Sequence, residues 1–201
     1  MKSVLDKIQQ AIKYRRKGSI FFATNFLRYG SLPSVNKALS ELTKSGLIVR
    51  LATGIYYKPE IDNVFGLGII YPGLEEIAAA IAERDGARIV PTGAYAQNRL
   101  GLSTQIPMNA VYLTDGPARR VQIYNGKGIL FKRVSPKHFQ FKNKTALMIT
   151  LALKDLGEGN LDVEQEKRLK EIITREPLSS FMPDFPLMPE WIRSVFKKMY
   201  D

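Results

Sequence analysis

Between residues 31 and 57 the chain carries a pattern that few folds accommodate. Val35, Ala38, Leu39 and Leu42 recur at i, i+3, i+4 and i+7, the spacing that gathers apolar side chains on one face of a helix. Ser31 stands where a cap is wanted and Pro33 suits the first turn. Ser45-Gly46 ends the helix, and Leu47 to Leu51, the turn Ala52-Thr53-Gly54 and Ile55-Tyr56-Tyr57 read as a β-hairpin, closed by Lys58-Pro59. Upstream, Val4, Leu5, Ile8, Ala11 and Ile12 follow Ser3 at helical spacing and predict an amphipathic helix over residues 4 to about 15. Lys13, Arg15, Arg16 and Lys17 then complement its dipole in the last turn, and Gly18 follows it. Ile20-Phe21-Phe22 is too short for a helix and reads as a strand. Thr24 offers the N-cap of a second helix through Phe26 and Leu27, stopped at Tyr29-Gly30. Helix, short strand, helix, tight turn, helix and hairpin within sixty residues is the order of a winged helix-turn-helix. In that fold the third helix enters the DNA major groove and the hairpin reaches backbone or minor groove.

Charge supports a nucleic-acid reading of this first domain, residues 1–60. The chain holds 30 Lys/Arg against 19 Asp/Glu, a net +11. Residues 1–60 carry 11 of the cations and 3 of the acids, a net +8, so most of the imbalance sits there. Phosphate neutralisation requires such an excess and protein docking does not, although the same fold also serves protein contact elsewhere. Roles follow from position. Thr24, Ser31 and Ser34 lie near helix N-termini, where hydroxyls and free backbone N–H groups suit phosphate oxygens. Asn36, Lys37, Ser40 and Lys44 lie on or beside the exposed face of the third helix, with Asn36 and Lys37 as the expected readers of base edges. Arg50 and Thr53 belong to the wing, and Arg15, Arg16 and Lys17 to the end of the first helix, positions suited to the DNA backbone. Any one lysine alone is a solvated charge; the coincidence of several on one small module carries the weight.

Other chemistries are narrowed by composition. A 45% hydrophobic fraction supports an ordinary core and argues against disorder across the chain. The absence of cysteine removes disulfides, thiolate metal sites and cysteine nucleophiles, and fits a reducing cytoplasm. Asp6, Gln9 and Gln10 interrupt the N-terminus where a signal peptide needs an apolar run, and no stretch approaches the roughly 20 apolar residues of a membrane span, so no membrane partner is expected. The single histidine, His138, counts against His-based zinc sites and a Ser-His-Asp triad. Gly66-Leu67-Gly68 and Gly126-Lys127-Gly128 lack the spacing of nucleotide-binding loops, and Glu75-Glu76 point apart on a helix. No catalytic residue, cofactor or metal is expected.

Residues 60–72 read as a linker too apolar to float free, expected to pack on one domain. A second, mixed domain follows from about residue 70 to 201, making the chain α+β. Its expected elements are a helix over Gly73 to Glu83, a strand at Ala87 to Val90 and a helix over Gly93 to Leu100. Strands follow at Asn109 to Thr114, Arg119 to Tyr124 and Gly128 to Val134, the last two joined through Asn125-Gly126-Lys127 into a small antiparallel sheet. Helical patterns return at about 143–156 and at 162–174, where Asp162 can cap; Pro177, Pro183, Pro186 and Pro189 break the chain before an amphipathic tail over Glu190 to Tyr200. Arg119-Arg120 follows the turn Asp115-Gly116-Pro117, so the two arginines point to opposite faces of a strand and one is exposed. That arginine either contacts phosphate or an acidic partner, or guards a strand edge. With His138, the pair supplies the candidates for an alternative reading: an enzyme or nucleotide-binding protein whose first domain delivers it to nucleic acid. A protein-interaction adaptor is the third reading.

At Gly18-Ser19-Ile20-Phe21-Phe22, Ser34 to Leu42, Gly46-Leu47-Ile48 and Thr53 to Pro59, the sequence resembles the AbiEi-like antitoxins of bacterial type IV toxin-antitoxin systems. Pro91 to Ala96, Leu100 to Pro107 and Tyr112 to Gly116 with the following hairpin look like that family's C-terminal region, so the resemblance spans roughly residues 1–140. It implies a transcriptional autorepressor whose winged helix binds its own operator repeats in double-stranded DNA. It also implies a C-terminal domain that counters a nucleotidyltransferase-type toxin without a tight complex. Residues 160–201 lie outside the pattern.

Overall fold

The computed structural model describes residues 2–123 and 126–201, which divide into two compact units: Met1–Ile81 with Val121–Lys127, and Ala82–Arg120 with Gly128–Asp201. Both are α+β.

In the first unit, α1 (Val4–Lys13) starts on a capping box: the Ser3 hydroxyl accepts from the Asp6 N–H, and the Asp6 carboxylate accepts from the Ser3 N–H at 2.9 Å. The helix ends at Tyr14, earlier than the cation run suggests, so only Lys13 of the four cations lies in its last turn. The carbonyls of Lys13 and Arg15 find a distant donor instead, the Lys58 ammonium at 2.8 and 2.6 Å, which satisfies carbonyls left open at the helix end. Strand β1 (Ile20–Phe22) leads into Ala23–Tyr29, a 3-10 helix rather than an α-helix. Thr24 does not cap it. Phe22 holds the N-cap position and donates its N–H to the Asn25 side chain at 2.8 Å; Asn25, three residues on, can reach back, whereas Thr24 sits exposed inside the turn.

Helix α2 (Leu32–Lys44), the third helical segment, buries Val35, Ala38, Leu39 and Leu42 as the stripe predicts. Ser31 has extended N-cap backbone, but its hydroxyl pairs with that of Ser34 at 3.0 Å rather than with a backbone N–H. Strands β2 (Val49–Ala52) and β3 (Ile55–Tyr57) form the hairpin, and β1 joins on the far side, giving the antiparallel order β1-β3-β2. Phe21 binds helices to sheet: its ring meets Phe26 edge-on at 5.7 Å and stacks on Tyr56 at 6.1 Å. Each large side chain buried here contributes about 1.5–3 kcal/mol.

Residues 60–72 are not a packed linker. They fold as a second hairpin, β4 (Glu60–Asp62) with β5 (Gly68–Ile70), in antiparallel register. Its apolar tip points to solvent, with Val64 and Phe65 each 81% exposed. The Asp62 carboxylate holds the loop by accepting from the N–H groups of Val64, Phe65 and Leu67, so backbone satisfaction replaces burial as the organising force. The Tyr57 hydroxyl ties the hairpin to the sheet below through the Ile70 carbonyl at 2.6 Å. Helix α3 (Leu74–Asp85) follows.

A four-stranded sheet of β6 (Ile89–Pro91), β7 (Asn109–Thr114), β8 (Arg119–Gln122) and β9 (Gly128–Arg133), in the order β6-β7-β9-β8, organises the second unit, to which β8 belongs as far as Arg120. β6 and β7 run antiparallel, but β7 and β9 run parallel, so the sheet is mixed rather than antiparallel throughout. Composition explains the order. Ile129 and Phe131 are buried on β9, which takes an interior position, while β8 carries Arg119 and Arg120 and is left on the edge. Of the expected turn Asn125-Gly126-Lys127, Asn125 lies outside the described residues, as does Tyr124 at the expected end of the strand before it.

Helices α4 (Gly93–Leu100), α5 (Lys144–Leu156), α6 (Val163–Ile173) and α7 (Glu190–Lys198) enclose the core of this unit, with Ile149, Leu153, Leu169, Ile173, Phe181 and Phe196 fully buried. Asp162 caps α6 through a reciprocal pair with Gln165. The proline-rich segment forms short 3-10 turns, Leu178–Ser180 and Met182–Leu187. Asp184, 1% exposed, accepts from the backbone N–H groups of Lys142 and Asn143 at 2.8 Å each, holding the approach to α5.

Candidate nucleic-acid interface

The buried stripe of α2 decides what its other side offers. With Val35, Ala38, Leu39 and Leu42 inward, the opposite face presents Asn36, Lys37, Ser40, Glu41 and Lys44, all exposed. Lys37 and Lys44 form no ion pair among the described residues, so their charge stays available to solvent or to an anion. At the N-terminal end of α2, the paired hydroxyls of Ser31 and Ser34 sit in the open beside the positive end of the helix dipole. Thr24 is exposed on the preceding 3-10 helix.

Arg50 and Thr53 meet across the hairpin turn, the guanidinium donating to the Thr53 hydroxyl at 3.4 Å, and both are exposed. Arg16 and Lys17 are exposed after α1. Arg15 is different: its guanidinium lies over the rings of Phe21 and Phe26 at 5.1 and 5.5 Å. Partial burial, aided by repulsion from Arg28, holds it below the ordinary arginine value, although it remains a cation at neutral pH. Arg15 therefore braces the aromatic core, a different placement from that of Arg16 and Lys17. Arg28 was not singled out by the sequence pattern because it sits at a helix stop; it stacks on Tyr29 at 4.8 Å and adds another exposed cation.

The candidates of the second unit are partly consumed by structure. Arg119 pairs with Asp85 and lies over the Phe131 ring at 5.4 Å, while Arg120 is exposed, so the alternation along β8 leaves one arginine outward as expected. His138 is exposed in the 3-10 turn Pro136–Phe139, its Nδ1 3.3 Å from the Ser135 carbonyl oxygen. Sequence reasoning missed Arg88, whose backbone N–H and Nε both donate to the Asp115 carboxylate at 2.7 Å and whose guanidinium covers Phe139 at 4.9 Å. Burial pushes the Asp115 carboxyl up, but Arg88 outweighs it and brings the group below the ordinary value. Among the described residues no three His, Asp or Glu side chains gather as a metal-binding set, and no helix is long and apolar enough to cross a membrane.

A family model described as a family of unknown function (DUF6088) matches residues 7–181. No curated relative matches the sequence. Among solved structures, the crystal structure of the RV2827C protein from Mycobacterium tuberculosis is similar at 12% identity and a TM-score of 0.50, over 98% of this chain and 75% of that one. At that identity the likeness concerns the fold.

Proposed function

The chain belongs to the DUF6088 family, whose function is unknown, so its activity has to be reasoned from its own surface, and we propose that it is a double-stranded-DNA-binding transcriptional regulator. The observation that carries this reading is the exposed face of α2, where Asn36, Lys37, Ser40 and Lys44 stand together on a helix whose other face is fully buried. The first unit then works as a winged helix-turn-helix. α2 lies in the major groove with Asn36 and Lys37 at base edges, and the β2-β3 hairpin brings Arg50 and Thr53 to the DNA backbone. Ser31, Ser34, Thr24, Arg16 and Lys17 position it on phosphates. The resemblance to AbiEi-like antitoxins extends the proposal to an autorepressor of its own operator, with a second unit that counters a nucleotidyltransferase-type toxin.

The test is fluorescence anisotropy of the purified protein on its own upstream DNA and on a scrambled duplex, across a salt series. Tighter binding to the native sequence, weakening steeply with salt, is the expected result. Equal or absent binding to both duplexes would overturn the reading and leave α2 as a protein-docking helix.

A further inference from the structure

The second unit contains a cavity of about 500 Å³ between β6, the end of the Pro136–Phe139 turn and the first turns of α5. Ile89, Val90, Phe139, Phe141, Leu147 and Met148 make its walls apolar, and its volume lies in the range of small-molecule sites.

The charged side chains that line this cavity are cationic, although the Arg88 charge is balanced by its ion pair with Asp115. Arg88 and Lys144 are present and no Asp or Glu is. Arg88 is fixed in place by Asp115 and by the Phe139 carbonyl, which accepts from its Nη1 at 3.2 Å. Lys144 is the first residue of α5, whose first turn has no acidic side chain. The N-terminal end of α5 is already served by the Asp184 carboxylate, on the Lys142 and Asn143 N–H groups, so Lys144 itself is what this end offers to an anion in the cavity. A carboxylate or sulfonate placed there would meet the Lys144 ammonium, with its apolar body against Leu147 and Val90.

From the apolar walls and the cationic edge we infer that this cavity binds an amphipathic organic anion, a small molecule with one acidic head and an apolar aliphatic or aromatic body. This goes beyond the DNA-binding reading and stands without it.

The test is a fluorescence titration of the full chain, without DNA, using anilinonaphthalene sulfonate as the probe and decanoate as the competitor. The expected result is saturable binding of the dye, displaced by decanoate but not by decanol at equal concentration. Lys144→Glu reverses an exposed charge, leaves folding intact and weakens dye binding at least tenfold. Met148→Trp fills the cavity and removes binding. Phe65→Ser, at the exposed hairpin tip, leaves binding unchanged. Absence of saturable binding, or binding that survives Lys144→Glu and Met148→Trp alike, would overturn the site. Loss of binding in Phe65→Ser alone would place the dye on the hairpin and overturn it equally. Circular dichroism of each variant separates loss of site from loss of fold.

Discussion

A lysine and an asparagine on one helix face have different tasks if α2 reads DNA, and the difference is measurable. Lys37→Ala and Lys44→Ala each remove an exposed cation that no acidic neighbour engages. Each should weaken DNA binding on any sequence and shallow the log-log salt slope by about one unit. Asn36→Ala should instead relax sequence preference with the slope unchanged, because a bidentate base contact is lost and not a phosphate contact. All three positions are exposed, so the midpoint of thermal unfolding should hardly move; anisotropy and thermal melts on the same samples check both parts. In the second unit the consequential residue is Asp184, which accepts two backbone N–H groups from a buried position. Asp184→Ala should cost about 2–4 kcal/mol in urea unfolding, since it leaves two donors unpaired, and Asp184→Asn should recover part of that loss.

At the scale of elements, the β4-β5 hairpin shows a turn ordered by one carboxylate. Hydrogen bonds from the Val64, Leu67 and Phe65 N–H groups hold the Asp62 carboxyl below the ordinary aspartate value. Because the folded value is depressed, this support is fully present above the ordinary aspartate range and is lost as pH falls through the lower folded value. Amide exchange at Val64 and Phe65, followed by NMR from neutral pH into strong acid, should therefore show faster opening on the acid side, after correction for intrinsic rates. Asp62→Asn should show weakened protection at neutral pH. The sheet of the second unit obeys a similar local logic. β9, with Ile129 and Phe131 inward, claims an interior place beside β7, and the arginine-bearing β8 takes the edge, where its charges discourage pairing with another chain.

Across the whole molecule, two of the hydrophobic clusters among the described residues share no residue. One gathers Ile8, Ile12, Phe21, Phe26, Leu39 and Tyr56; the other gathers Leu153, Leu169, Phe181 and Phe196 with their neighbours. Leu39→Ala should cost about 2–5 kcal/mol and Phe196→Ala about 3–5 kcal/mol. In the double variant the losses should add within about 0.5 kcal/mol in urea unfolding, since the two side chains have no packing partner in common. A departure of more than about 1 kcal/mol would show that the cores are energetically coupled.

Local rules acting over a few residues were readable directly from the amino-acid order. The inward stripe of α2, the β2-β3 hairpin, the start of α1 at Ser3 and of α6 at Asp162, and the single outward arginine of Arg119-Arg120 all follow from periodicity and capping within a turn or two. The face of α2 carrying Asn36, Lys37, Ser40 and Lys44 was legible for the same reason: once four positions are buried, geometry assigns the remainder. What only the tertiary structure decided depended on partners far along the chain. Lys58 caps the last carbonyl of α1 from 45 residues away, Arg15 turns onto Phe21 and Phe26, Arg88 finds Asp115 across 27 residues, and β9 settles parallel to β7. In each case the sequence states which groups need a partner, but which partner arrives is chosen by the packing of the whole unit, where burial and charge satisfaction are resolved together.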